Sequence, residues 1–271
     1  MAEVEVSSDV SDNEDKERNE DEAVELVNLD PESLDLDLNH GRIAKIENLE
    51  PMTKLETLSL RWNLIKKIEN VNCLGSTLRE LELYDNQITV LENLDGLVHL
   101  EVLDVSHNRI RKIEGLENLT KLKKLFLVSN KISKIENVAH LKHLEMLELG
   151  DNRIRAIENL QGLDALKELF LGKNKIAKLA NLEPLINLEL LSIQANRLVR
   201  LEGLEKLTKL EQLYIADNGI EAIENLATNT ALTTLDLANN KIATLDGLQA
   251  LESMEEFWIN DNKVGDFLFI L

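Results

Sequence analysis

One pattern of apolar residues recurs every 22 residues along most of this chain. In the unit that begins at Leu122, apolar residues occupy repeat positions 1, 4, 6, 11, 14, 17 and 20, and Asn130 occupies position 9. The unit that begins at Leu55 is one residue longer. Eleven units begin at Ser33, Leu55, Leu78, Leu100, Leu122, Leu144, Leu166, Leu188, Leu210, Leu232 and Met254. A unit this short cannot bury its own apolar residues, so it must stack on its neighbours.

The order L-x-x-L-x-L-x-x-N-x-I within each unit predicts a leucine-rich repeat. We therefore expect an α/β fold in which the units form a curved solenoid with a parallel concave sheet. The return leg of each unit is too short for a long helix, so 3₁₀ or single-turn helices are expected on the convex side. The asparagine at position 9 is expected to bond the backbones of adjacent units, because a buried amide is tolerated only when it is hydrogen-bonded. This asparagine ladder consists of Asn63, Asn86, Asn108, Asn130, Asn152, Asn174, Asn196, Asn218, Asn240 and Asn262.

Three regions are expected along the chain. Residues 1–21 are acidic and almost without apolar side chains, so they predict a disordered tail. Ser11 precedes acidic residues in the spacing that acid-directed kinases favour, and it is a possible phosphorylation site. Residues 22–32 predict a short N-terminal cap, and residues 33–271 predict the repeat domain. Since the last residues are apolar and no polar capping unit follows them, the sequence predicts a chain shortened at its C-terminus relative to a longer parent.

Composition disfavours several classes of function. The net charge of −20 argues against direct nucleic-acid binding, which needs a basic footprint. No apolar run approaches the ~20 residues of a membrane span, and the N-terminus has no secretory h-region. The single cysteine, Cys73, fits a reducing compartment, so nucleus or cytosol is expected. The five histidines show no metal-ligand spacing, and no phosphate loop or nucleophile elbow occurs, so neither an enzyme nor a cofactor is expected.

Repeat position 5 defines a column of side chains that point out of the concave sheet, because side chains alternate along a strand. This concave column contains Asp37, Ser59, Glu82, Asp104, Phe126, Glu148, Phe170, Ser192, Tyr214, Asp236 and Trp258. Four of the nine aromatic residues of the chain lie in it. Because exposed aromatic residues supply much of the binding energy at interfaces, the column predicts a protein-binding face.

Charge divides the predicted surface further. Repeat positions 2, 3, 5, 7 and 8 together hold 19 acidic and 6 basic residues, which predicts a partner with a basic surface. Basic residues collect just after the ladder asparagine. The sequence predicts that they form a solvated rim that pairs with the glutamate of each Ile-Glu-Asn. They include Arg109, Lys131, Arg153, Lys175 and Arg197.

Several longer segments carry a resemblance to a known family. KLFLVSNKISKIEN (residues 124–137), NRIRAIEN (152–159) and EFWINDN (256–262) resemble the leucine-rich-repeat regulators of type 1 Ser/Thr protein phosphatase. The resemblance implies a non-catalytic regulatory subunit, a monomer before binding. It would control the activity or maturation of the phosphatase catalytic subunit in nucleus and cytoplasm, including in mitosis.

That family binds the phosphatase through its concave face. The positions that the resemblance marks as partner-binding are Asp104, Phe126, Glu148, Phe170, Asp236, Glu256 and Trp258. The family also has a further aromatic contact in a later repeat and a C-terminal capping unit, and neither is found in this sequence.

Two other classes of function stay open at this point. One is an acidic nuclear leucine-rich-repeat chaperone of histones or other basic proteins. The other is a cytoskeletal or axonemal scaffold. Salt separates the chaperone from the phosphatase regulator, because an electrostatic complex is weakened by salt more than a complex anchored by aromatic residues.

Overall fold

In the computed structural model, residues 3–7, 24–28 and 30–265 are described. Eleven three-residue strands form one parallel sheet in which each strand pairs with the strand of the next repeat. Each strand covers repeat positions 3–5, and the register is position to position, as in Leu125 opposite Leu147. The strands are β3 (Asp35–Asp37), β4 (Thr57–Ser59), β5 (Glu80–Glu82), β6 (Val102–Asp104), β7 (Lys124–Phe126), β8 (Met146–Glu148), β9 (Glu168–Phe170), β10 (Leu190–Ser192), β11 (Gln212–Tyr214), β12 (Thr234–Asp236) and β13 (Glu256–Trp258). The predicted solenoid with a parallel sheet is confirmed.

The apolar repeat positions form one continuous core along the stack. Leu125, Leu127, Ile132 and Ile135 are each 0% exposed. Complete burial of such a side chain contributes about 1.5–3 kcal/mol. In the last described repeat Phe257 is only partly buried, because the described residues cover it from one side.

The predicted asparagine ladder is confirmed, and Asn152 shows its bonds. Its Nδ2 donates to the carbonyl oxygen of Leu127 in the preceding repeat at 2.9 Å and to that of Leu149 in its own repeat at 3.1 Å. Its Oδ1 accepts the backbone N–H of Ile132 at 3.0 Å. Because a parallel sheet of three-residue strands provides few backbone bonds, this amide supplies the pairing that continues past the strand end.

A second asparagine ladder lies at repeat position 16, which the sequence analysis did not single out. Asn159 has a φ of 59° and donates from Nδ2 to the carbonyl oxygen of Ile135 at 2.7 Å. The side chains of Asn93 and Asn137 each donate in the same way to a backbone carbonyl oxygen of the preceding repeat. Gly115 occupies the same position with a φ of 69°. In the described repeats this position holds asparagine or glycine, and the left-handed backbone explains the choice, since both adopt it at low cost.

The convex side is made mainly of turns. Among the described residues, one 3₁₀ helix occurs, η1 (Asn72–Leu74). It lies in the repeat that is one residue longer. Elsewhere isolated turns close by bonds between residues three apart, such as Leu119 N–H to Leu116 O at 3.0 Å. In the described part of the repeats the expected short helices are therefore limited to one unit, because the 22-residue units have room only for isolated turns.

The region before the repeats contains an antiparallel pair, β1 (Glu3–Ser7) with β2 (Val24–Asn28). Over residues 3–7 the structure differs from the predicted disorder, because β1 has alternating valines that favour a strand. The predicted phosphorylation site, Ser11, and the apolar C-terminal residues 267–271 lie outside the described residues. The division into tail, cap and repeat domain stays a prediction.

Candidate functional site

The concave column is a physical row of side chains. Phe126 lies opposite Glu148, and Glu148 lies opposite Phe170, on three successive strands. Tyr214 lies opposite Asp236, which lies opposite Trp258. Strands are about 4.8 Å apart, so β6 to β13 span roughly 34 Å.

The structure places the seven predicted partner-binding residues on one face but in two groups. Asp104, Phe126, Glu148 and Phe170 lie on the four consecutive strands β6–β9. The other three lie on β12 and β13: Asp236, Glu256 and Trp258. The intervening strands β10 and β11 contribute Ser192 and Tyr214 to the same row. Their role in binding a partner stays a prediction.

A hollow of about 560 Å³ opens in the middle of the concave face. Glu148, Phe170 and Tyr214 line it. Gly150 and Gly172 also line it and lie at repeat position 7, where the absence of a side chain leaves the space open. This hollow can receive a side chain from a partner between two aromatic rings and beside a carboxylate.

Glu148 is the carboxylate of that hollow, and its charge is poorly compensated. Its Oε1 accepts the backbone N–H of Gly150 at 2.8 Å, and it has no ion pair among the described residues. Burial raises the pKa of the Glu148 carboxyl, and the Gly150 hydrogen bond opposes this only in part. A cationic group from a partner would therefore be stabilised here more than at an exposed carboxylate.

Because of this raised pKa, the charge of Glu148 is expected to lower the stability of the fold at neutral pH, and Glu148→Gln tests this. The pKa of this carboxyl is higher in the folded than in the unfolded protein, so the folded state binds more protons between the two pKa values. The fold therefore loses stability as pH rises from the unfolded-state pKa to the folded-state pKa. Glutamine removes the charge and keeps an oxygen for the Gly150 N–H. At neutral pH the variant is expected to unfold at a higher urea concentration than the wild type, and at about pH 3 the two midpoints are expected to converge.

The control is Glu256→Gln, the same change at an exposed carboxylate of the same face. It is expected to leave the midpoint nearly unchanged at both pH values. A Glu148→Gln midpoint equal to or below the wild type at neutral pH would contradict the unfavourable charge.

The two aspartates of the predicted set have fixed side chains. Asp104 Oδ1 accepts the backbone N–H of Ser106 at 2.9 Å. Asp236 Oδ1 accepts the backbone N–H of Ala238 at 3.0 Å. Each of these bonds leaves the second carboxylate oxygen for a partner and reduces the entropy lost on binding.

Tyr214 is a member of the concave column that the predicted partner-binding set omits. Its ring stacks with that of Trp258 at a centroid distance of 6.5 Å, although β12 lies between their strands. Its hydroxyl donates to Gln212 Oε1 at 3.0 Å. Trp258 is 42% exposed, so the pair presents an apolar surface at one end of the column. The signal for Tyr214 in the sequence is its position in the repeat, which equals that of Phe126 and Phe170.

A row of aromatic rings in the first repeats was also missed. His40 stacks on Trp62 with ring centroids 4.4 Å apart, Trp62 meets Tyr84 at 5.5 Å, and Tyr84 meets His107 at 4.6 Å. The row adjoins a smaller hollow of about 380 Å³ that Arg61 also lines. Sequence reasoning did not find it because its members occupy two repeat positions, with Tyr84 at position 7 and the other three at position 8.

The predicted pairing of the basic rim is wrong for most of its members. None of the five rim cations named above has an ion pair in the described part of the chain. Three residues further along their repeats, Lys112 pairs with Glu114 at 3.2 Å and Arg200 with Glu224 at 2.9 Å.

The described residues show no cluster of three or more His, Cys, Asp or Glu side chains that could hold a metal ion. They also contain no helix long and apolar enough to cross a bilayer.

Fold and site together define a parallel-sheet repeat solenoid with an open concave face. The family described as "Leucine Rich repeats (2 copies)" matches residues 76–118, 98–140, 186–228 and 230–270. A second description, "Leucine rich repeat", matches residues 120–176. The chain belongs to the leucine-rich-repeat family.

Among named proteins, the chain is similar to Protein phosphatase 1 regulatory subunit 7. It is 55% identical to the Xenopus tropicalis protein over 60 residues, which cover 22% of this chain and 17% of that protein. It is 56% identical to the Homo sapiens protein over 48 residues, which cover 18% and 13% respectively. The matched segments thus span less than a fifth of either relative. They confirm the resemblance to the phosphatase regulators.

A solved structure of similar fold is the functional domain of InlJ from Listeria monocytogenes. It superposes with a TM-score of 0.66 and 21% identity, covering 86% of this chain and 55% of that chain. At this identity the likeness shows the solenoid fold alone.

Proposed function

We propose that this protein is a non-catalytic regulatory subunit that binds the catalytic subunit of type 1 Ser/Thr protein phosphatase through its concave face. The observation that carries the proposal is the concave column itself, where half-buried Phe126 and Phe170 flank Glu148 in register. The names of the matched relatives support the same class of partner.

The physical argument rests on two complementary contributions. Partly exposed aromatic side chains lose little conformational entropy on binding and bury a large apolar area, so they act as anchors. Carboxylates held by backbone N–H groups, such as Asp104 and Asp236, are preorganised for basic groups of the partner. Binding in this form would control the activity or maturation of the phosphatase without any catalytic group on this chain.

The test is binding of the purified protein to immobilised type 1 phosphatase catalytic subunit at about 0.1 and about 0.5 M salt, with a histone mixture as a parallel ligand. We expect phosphatase binding that largely survives the higher salt, because aromatic contacts are not screened. No phosphatase binding by protein whose circular dichroism shows an intact fold would overturn the proposal. Binding to histones alone, lost at the higher salt, would favour the acidic chaperone.

The proposed regulation of the phosphatase would take place in nucleus and cytoplasm, including during mitosis. Fluorescence microscopy of the tagged protein through the division cycle would test this. Absence from the nucleus at every stage would contradict the nuclear part.

A further inference from the structure

A row of five cations runs along the edge that follows the asparagine ladder. This row, the basic strip, consists of Arg109, Lys131, Arg153, Lys175 and Arg197, all at repeat position 10. Each is exposed or half-exposed. The strip is separate from the concave column, since it lies beyond the ladder asparagine on the outward corner of each repeat.

The backbone holds these five residues in register. The N–H of Lys131 donates to Ile110 O, and that of Arg153 donates to Ile132 O, each at 2.8 Å. The same bond links Arg109, Lys175 and Arg197 to the preceding repeat at 2.8 Å. Side chains on consecutive turns of the solenoid are therefore about 4.8 Å apart, and the strip is roughly 19 Å long.

The charges of the basic strip are uncompensated. Within the described part of the chain, none of the five cations forms an ion pair. Asp151 lies two residues before Arg153, but its Oδ2 accepts the hydroxyl of Ser129 at 2.6 Å. Arg111 and Arg155, two residues beyond strip members, widen the positive surface. Like charges held this close repel each other, and an anionic ligand would relieve that repulsion.

We propose that the basic strip binds an extended acidic peptide segment of a partner protein, along the axis of the solenoid. An extended chain rises about 3.3 Å per residue, so six to eight residues would cover the strip. Several carboxylates on such a segment would face cations on consecutive turns.

The charge of the whole molecule favours a short peptide over nucleic acid. The net charge is −20, and the strip is a local exception to it. A long polyanion would extend beyond the strip into acidic surroundings and be repelled. A segment of a few residues stays within about one Debye length, roughly 8 Å, of the cations that attract it.

The test uses a fluorescein-labelled peptide of four Glu-Ser repeats, with a peptide of four Gln-Ser repeats as the uncharged counterpart. Binding is followed by fluorescence anisotropy at about 0.1 M salt. The variant Arg109→Glu/Arg153→Glu/Arg197→Glu is expected to bind the acidic peptide at least about tenfold more weakly, because three favourable ion pairs become repulsive. Its binding to the phosphatase catalytic subunit is expected to be unchanged, since the strip is off the concave face. Peptide binding therefore tests this proposal, and phosphatase binding tests the proposed function separately.

The matched control is Lys121→Glu/Lys142→Glu/Lys206→Glu, which makes the same change of net charge at exposed positions of the return segments. It is expected to weaken peptide binding much less. If the reversed strip variant does not fold, Arg109→Gln/Arg153→Gln/Arg197→Gln replaces it. Equal losses in strip and control variants, equal binding of the uncharged peptide, no binding by the wild type, or tighter binding of an eight-nucleotide oligothymidine would each overturn the proposal.

Discussion

Replacing Phe126 and Phe170 together with alanine is expected to weaken binding to type 1 phosphatase by at least about a hundredfold. Each ring is half-buried on the sheet, and the two flank Glu148 at a spacing of one strand on either side. An aromatic anchor at the centre of an interface costs about 2 kcal/mol or more when truncated, and each 1.4 kcal/mol is a factor of about ten. Surface plasmon resonance with the immobilised catalytic subunit measures the loss.

The matched control for this pair is Val98→Ala/Ile186→Ala. These apolar side chains are 43% and 58% exposed, and they lie at repeat position 21, away from the concave sheet. Truncating them removes apolar surface without touching the column, so the affinity is expected to stay within about twofold of the wild type. Equal effects of the two double substitutions would show that the concave column does not anchor the partner.

Replacing Asn152 with alanine is expected to lower the free energy of unfolding by about 3 kcal/mol. The change leaves the buried N–H of Ile132 without its acceptor and removes one of the two asparagine amides that donate to the carbonyl oxygen of Leu127. A buried polar group left unpaired costs about 1–3 kcal/mol, and alanine can replace neither bond. Urea denaturation followed by circular dichroism gives the difference.

Asn159→Gly provides a comparison within the second ladder. It removes one hydrogen bond, to Ile135 O, at a position where Gly115 already stands in another repeat. The left-handed backbone is kept, so the expected cost is only about 1 kcal/mol. If Asn152→Ala lowered the free energy of unfolding by no more than Asn159→Gly does, the position-9 amide would contribute no more than a single hydrogen bond.

The fold could be predicted closely from the sequence. The 22-residue period sets the number of turns, since every apolar position must meet the same position of the next unit. Asn130 and its equivalents were predictable as ladder residues because a polar residue at a fixed place in an apolar repeat needs fixed partners. The convex side was less predictable, because one extra residue in a repeat is enough to turn an isolated turn into a 3₁₀ helix, as η1 shows.

The candidate site was predictable as a column but not as a surface. Strand alternation places Phe126, Glu148 and Phe170 on the outer side of the sheet, and this follows from position alone.

The strand Glu3–Ser7 was missed because a high density of acidic residues suggested disorder, whereas the spacing of the valines favours a strand.

The sequence by itself determined the solenoid, the register of its sheet, the ladder at position 9 and the row of residues on the concave face. All of these follow from contacts between equivalent positions, which a repeat defines. Only the tertiary structure decided the features that depend on the size and reach of particular side chains. These are the contact of Tyr214 with Trp258 across an intervening strand, the hollow over Gly150 and Gly172, and the absence of ion pairs along the basic strip in the described residues. The physical reason is that the repeat pattern specifies which positions are neighbours, whereas the rotamer and reach of each side chain depend on the packing around it.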